Sequence, residues 1–180
     1  MAKQRKLAAA LILILIAIAA AMLFAAYGGA SGDTAAVRVL RVVDGDTIVV
    51  DLDGISEKVR LIGIDTPESV HPDASKNVPY GKVASDYTKS RLEGQSVTLE
   101  FDTTERDRYG RLLAYVYIGD EMFNKTLLEE GHASVSTYPP NVKYVEEFTA
   151  AQKAAREAGK GIWSAAGGIM QGLQLAVSPN

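Results

Sequence analysis

The sequence predicts an α+β fold, mainly a small β-barrel of five strands with three covering helices, behind one hydrophobic N-terminal helix. Three observations lead there. Five short runs rich in Val, Ile, Leu, Thr and Tyr alternate with turn-forming Gly and Asp. Three further segments repeat apolar residues at helical spacing, and each ends at a glycine. Residues 7–27 form an unbroken apolar run with no polar face. A length of 180 residues suits one domain with appendages. We divide the chain into residues 1–32, a leader or anchor with its linker, a domain at 33–164 and a tail at 165–180.

The first strand, residues 37–42, alternates apolar and basic positions, the period of a half-buried strand. Asp44-Gly45-Asp46 separates it from a second at 47–50, and the turn cluster at 51–54 leads into a third at 57–64. Residues 66–78, rich in Pro, Asp, Ser, Asn and His, read as a mobile loop. Tyr80, Val83, Ala84, Tyr87 and Leu92 mark the inner face of a helix stopping at Gly94. Strands at 97–101 and 112–117 flank a charged loop at 102–108. A second helix at 121–130 places Met122, Phe123, Leu127 and Leu128 on or near one face. A third at 143–158 turns Tyr144, Phe148, Ala151 and Ala155 inward, with Trp163 packing its end against the body. Five strands with helices after the third and the fifth describe a barrel of the OB type, which commonly presents nucleic-acid or sugar ligands on one face.

Lys3, Arg5 and Lys6 precede the apolar run, and no further charge occurs before Asp33. Such a start is an export signal. The run is long enough to span a membrane, which favours retention as an anchor over cleavage. Small residues at 28–32 would serve as a cleavage site or as a flexible linker. In both cases the charge asymmetry sends the domain out of the cytoplasm, either extracellular or membrane-anchored.

The formal charge is −3, and beyond residue 30 the chain carries 16 basic against 22 acidic residues. Broad electrostatic capture of nucleic acid is therefore not expected, and any phosphate chemistry must rest on a few well-placed cations and a metal. Cysteine is absent and histidine occurs twice, which argues against a zinc site and excludes disulfides.

Three segments supply such chemistry: Val43-Asp44-Gly45-Asp46-Thr47, residues 60–68 and Asp107-Arg108-Tyr109-Gly110-Arg111. They offer carboxylates for a hard cation, one more for a water, and two guanidinium groups for a phosphate. Each has a bland reading. Asp-Gly-Asp is a common turn, Asp65-Thr66-Pro67-Glu68 resembles a helix start, and Arg60 resembles a solvated strand charge. Their joint occurrence outweighs these. Strand alternation puts Arg60 and Asp65 on opposite sides, so a bend near Gly63 must unite them.

The segments VVDGDT, VRLIGIDTPES, HPD, YG at 80–81, DRYGRLLAY and MFNKTLLEEGHA resemble those of the staphylococcal nuclease (thermonuclease) family in order and spacing, over residues 37–163. The resemblance implies a five-stranded OB-fold barrel with three helices. It also implies a calcium-dependent endonuclease that cleaves DNA and RNA with low sequence specificity and leaves 3′-phosphate ends. Asp46 and Asp65 would bind Ca2+ with the main-chain carbonyl of Thr66. Glu68 would be the general base, or would orient the water, and Arg60 and Arg111 would grip the scissile phosphate. The partners implied are DNA and RNA, single-stranded or locally melted, with the membrane added if the leader is retained, and a monomer is expected.

Tyr109 is the aromatic best placed by motif to meet substrate. The family's two tyrosines, separated by one residue, that help hold the nucleotide base and phosphate are reduced here to Tyr138, within residues 134–140, and the loop before Tyr109 is one residue shorter. Asp44 is either a turn residue or a partner behind the metal ligands, and Asp107 either positions Arg111 or is exposed. His71 and His132 are expected in surface or capping roles. A competing reading from another class is a noncatalytic OB-fold module that binds nucleic acid or protein. Such modules lose one or more site residues, and all five of Asp46, Arg60, Asp65, Glu68 and Arg111 are present.

Overall fold

Antiparallel pairing runs from β3 (Ile55–Leu61) through β2 (Thr47–Leu52) and β1 (Ala36–Asp44) to β5 (Ser96–Arg106) and β6 (Leu112–Ile118). Parallel pairing of β6 with β3, from Val59↔Leu112 to Leu61↔Ala114, then closes the five strands into a barrel. The computed structural model describes residues 36–69 and 78–169. Residues 1–35, with the expected N-terminal helix, His71 in the 66–78 loop, and residues 170–180 of the tail lie outside them. Among the described residues no helix is long and apolar enough to cross a membrane.

β1 is shared by two neighbours, and two register shifts against β2, at Val39/Arg41 and Val42/Asp44, let it turn from one to the other. Its inward residues Val37 and Val39 join Ile48 and Val50 of β2, Val59 and Leu61 of β3, and Leu99 of β5 in the core. The period-2 alternation seen in sequence is thus the alternation of core and solvent faces.

The expected third strand at 57–64 is two strands. β3 ends at Leu61, and β4 (Gly63–Asp65) leaves the barrel to pair with β8 (Ser134–Ser136). Gly63 makes the break: its φ is +80°, and an added Cβ would lie 2.6 Å from Cε2 of Phe148. The segment at 102–108 is also corrected, because β5 continues through most of it to Arg106. Asp102 accepts from the Tyr115 hydroxyl at 2.9 Å and the Lys143 N–H at 3.1 Å, so the polar run has cross-strand partners that its composition hides.

Three helices cover the barrel as expected: α1 (Pro79–Leu92), α2 (Phe123–Glu129) and α3 (Val145–Glu157). The second starts later than its periodicity suggests, since Glu121–Met122 form a short strand, β7, beside β6. The inner face of α1 is Tyr80, Gly81, Ala84, Thr88 and Leu92, whereas Val83 is exposed. Asn124, fully buried on α2, donates to the Ile62 carbonyl at 2.9 Å and accepts from the Val116 N–H at 2.9 Å. Both ends of the carboxamide are satisfied, so this buried polar group ties α2 to the end of β3 without an unpaired cost. On α3, Phe148, Ala151 and Ala155 are buried. Tyr144, just before it, meets Tyr115 edge to face at 4.6 Å. The ring of Trp163 lies 4.7 Å from the Arg156 guanidinium, at the end of α3 as expected.

Candidate active site

The turn between β1 and β2 carries Asp44 and Asp46, both buried. Asp46 Oδ2 accepts from the Thr66 N–H at 3.0 Å and the Thr66 hydroxyl at 3.1 Å, and its Oδ1 accepts from Thr47 Oγ1 at 3.1 Å. Asp44 Oδ1 accepts from the Gly45 N–H at 2.8 Å and from Ser69 Oγ at 2.6 Å. The residue between them has to be small, because a Cβ at Gly45 would stand 2.7 Å from Thr66 Oγ1. From below, the buried Thr88 of α1 donates to the Gly45 carbonyl at 2.7 Å. Segments twenty residues apart in the chain are thereby fixed to one another and to a helix.

The bend at Gly63 brings Arg60 and Asp65 together. Arg60 Nη1 sits 2.8 Å from Asp46 Oδ2 and Nη2 sits 2.8 Å from Asp65 Oδ1, while Nη1 also donates to the Leu61 carbonyl at 3.1 Å. One guanidinium therefore spans two carboxylates. Burial, with the negative charges of Asp46 and Asp44, raises the Asp65 carboxyl above its usual range, against the opposing pull of Arg60. The Asp65 side chain is still 59% exposed, so solvent moderates the effect. A carboxylate held beside two others is suited to a cation.

Asp107 organises the loop before β6. Its Oδ1 accepts from the N–H groups of Tyr109 at 2.9 Å and Arg111 at 3.0 Å, and its Oδ2 accepts from Arg111 Nε at 2.7 Å. Burial works to raise the Asp107 carboxyl, but these hydrogen bonds outweigh it and hold the group below the usual range. Asp107 is therefore bonded to Arg111 and is not an exposed charge. The ring of Tyr109 is flanked by the guanidinium groups of Arg108 at 4.8 Å and Arg111 at 5.7 Å.

Arg60, Asp65, Tyr109, Arg111 and Tyr138 line one cleft of about 630 Å³. Asp46 lies behind it, bonded to Arg60. Glu68 lines a separate depression of about 330 Å³ with Thr66, Pro67 and Ser134, and Asp65 belongs to both. Of the five central residues, Arg60, Asp65, Arg111 and Glu68 thus line two adjoining hollows that share Asp65, and Asp46 supports them from behind. His132 caps the end of α2, its N–H donating to the Leu127 carbonyl at 2.7 Å, while its ring packs inward: Nδ1 is 3.1 Å from the Tyr80 hydroxyl, the ring lies 4.3 Å from that of Tyr87, and burial lowers its pKa.

Sequence reasoning missed Ser69, Thr88 and Arg108. Ser69 and Arg108 stand inside recognised motifs and could have been read there. Thr88 had no signal, since a threonine amid helical spacing reads as filler.

Residues 58–165 match the family model described as staphylococcal nuclease homologue. The chain belongs to the staphylococcal nuclease family. It is 50% identical over 141 residues to a thermonuclease of Staphylococcus hyicus, covering 78% of this chain and 83% of that one. Over 125 residues it is 54% identical to a thermonuclease of Staphylococcus intermedius, covering 69% and 74%. Endonuclease YncB of Bacillus subtilis (strain 168) is 42% identical over 133 residues, covering 73% and 63%. As a member of this nuclease family the chain is a hydrolase, and the family is generally metal-dependent.

Among the described residues no three His, Cys, Asp or Glu side chains gather into a metal-binding group. The donors at hand are the two aspartates and backbone oxygen, with water to complete a shell. All are hard oxygen donors, which fits Ca2+ or Mg2+ and does not fit a soft metal.

Proposed function

We propose that the chain is a calcium-dependent endonuclease that hydrolyses the phosphodiester bonds of DNA and RNA with low sequence specificity. The observation that carries this is Arg60, which joins Asp46 and Asp65 at 2.8 Å each on one wall of a cleft that also holds Arg111. Asp46 and Asp65 would hold the ion with the Thr66 carbonyl, and a bound divalent cation supplies positive charge to the phosphoryl oxygens and acidifies water. So few charged ligands imply weak affinity, about 10⁻⁴–10⁻³ M, the range of extracellular calcium modules.

Arg60 and Arg111 bind the non-bridging phosphate oxygens. Each stays protonated, and its fork can contact two oxygens at once. Asp107 holds Nε of Arg111, leaving the outer edge of that fork to face substrate. Glu68, across the Asp65 wall, orients a water and takes its proton as the oxygen adds to phosphorus. The P–O5′ bond breaks, the 5′ oxygen gains a proton, and the other product keeps the 3′-phosphate. Tyr109 and Tyr138 offer ring faces to the bases, which is sequence-tolerant because every base has a π-face.

In this reading the domain acts outside the cytoplasm as a monomer, either anchored or released; the basic residues ahead of the apolar run at 7–27 support export. Calcium is plentiful there. Protein from residue 33 onward should degrade single-stranded DNA and RNA in millimolar calcium and stop on addition of chelator. Folded protein that cleaves neither would sink the proposal. Glu68→Gln should lower turnover by about 10²–10⁴-fold while retaining nucleic-acid binding, which a noncatalytic module would have no activity to lose. The mass of the native protein distinguishes anchor from cleaved leader.

A further inference from the structure

Asn141 is buried, follows two prolines and has no part in the chemistry above. Its carboxamide mimics a strand partner: Oδ1 accepts from the Thr104 N–H at 2.8 Å, and Nδ2 donates to the Thr104 carbonyl at 2.8 Å. Its own N–H donates to the Tyr138 carbonyl at 3.1 Å, closing the turn Tyr138-Pro139-Pro140-Asn141. Within that turn the prolines have no N–H to donate. The anchorage of the turn therefore depends heavily on Asn141.

The two ends of this contact belong to different walls of the cleft. Tyr138, Pro139 and Pro140 line one part of it, and Tyr138 is 77% exposed with little packing of its own. Thr104 lies on β5, two residues before Arg106, where the chain enters the loop bearing Asp107, Tyr109 and Arg111. One side chain thus couples the wall that carries the second aromatic ring to the wall that carries the phosphate-binding arginine.

We propose that Asn141 is a positioning residue that fixes Tyr138 within the cleft shared with Tyr109 and Arg111, and so sets how tightly a single nucleotide strand is gripped. This rests on the nuclease reading above. Asn141 also lines the cleft, but both ends of its carboxamide are taken by the Thr104 backbone, so it acts through Tyr138. An exposed tyrosine that is free to wander must be ordered when a base stacks on it, which costs affinity, and the pair of bonds to Thr104 removes that cost in advance.

The test is a double-mutant cycle on the full chain, reading KM and kcat for a single-stranded oligothymidylate. Asn141→Asp keeps the shape but replaces the Nδ2 donor with an acceptor facing the Thr104 carbonyl. Tyr138→Ala should raise KM about tenfold, within the range that base stacking supplies. Asn141→Asp should raise KM by a similar factor with kcat little changed, and the double variant should be no worse than Tyr138→Ala alone. Factors that multiply, or an unchanged KM in either single variant, would overturn the proposal. If Asn141→Asp does not fold, Asn141→Ser goes through the same cycle and is read the same way. A wild-type chain that cleaves nothing fails the nuclease reading itself, a different result from an active chain whose cycle is multiplicative.

Discussion

Replacing Arg60 by lysine preserves the charge and removes the fork. The guanidinium reaches Asp46 and Asp65 at 2.8 Å each and the Leu61 carbonyl at 3.1 Å, from a side chain only 18% exposed. An ammonium is a single point and cannot replace two nitrogens held a fixed distance apart. Asp46 is the more buried partner, so the lysine is expected to stay with it and to release Asp65. A hydrogen bond to a charged group contributes about 1.5–3 kcal/mol. The Asp65 side chain is 59% exposed, so screening reduces the loss to ~1 kcal/mol. That corresponds to a fall in Tm of about 3–6 °C. If Arg60 grips the phosphate as proposed, activity should suffer far more, because two-oxygen recognition is lost along with the alignment of Asp65. We expect kcat/KM to drop about 10²-fold, the scale of losing one preorganised donor at a developing charge. Melting curves and steady-state kinetics on single-stranded DNA at saturating calcium give the two numbers separately. Arg60→Lys protein with activity within about threefold of wild type would refute the reasoning, since charge alone would then suffice.

Asp107→Asn should lower kcat/KM by about tenfold through a misdirected Arg111. Because the folded-state carboxyl of Asp107 is depressed, its contribution to stability is complete above the unfolded value near pH 4 and fades as pH falls through the lower folded value. The stability gap between wild type and Asp107→Asn should therefore shrink below about pH 4, which acid-range denaturant titrations would show. Gly63→Ala forces φ of +80° on a β-carbon and sets it 2.6 Å from the Phe148 ring, so a loss of about 2–4 kcal/mol is expected in denaturant melts. Thr88→Val keeps the volume but leaves the Gly45 carbonyl without its 2.7 Å donor, at a cost of about 1–3 kcal/mol. Calorimetric titration should show weaker calcium binding as well, and an unchanged affinity would mean that Thr88 does not steady Asp46.

Much of the barrel was legible because its strands alternate across a core, as in Val37 and Val39 of β1, and because glycine ends each helical pattern. The site was legible for a different reason: its charged residues cluster in three short stretches. The places where reading failed share one cause, which is partnership over distance. β5 continues to Arg106 although its last residues are polar, because Asp102 meets Tyr115 of the adjacent β6 and Arg106 reaches past β6 to Glu57 of β3. β8 is three residues long and exists only because Gly63 redirects β4 toward it. Thr88 and Ser69 matter through hydrogen bonds to residues 43 and 25 positions away. No periodicity within a window records such contacts. The separation of Glu68 from the main cleft belongs to the same class, since the motif shows its closeness to Asp65 in sequence and not the wall between them.

The parallel seam between β3 and β6 has a kinetic meaning. It pairs Arg60 with Leu113, residues more than fifty positions apart, two steps beyond Arg111. Contacts so remote in the chain form late, after the loop between them has been gathered in. Until that seam zips, the two arginines have no fixed spacing and the cleft has no walls. Recovery of cleavage during refolding should accordingly lag behind the appearance of helix signal, making turnover itself a gauge of when the barrel has shut.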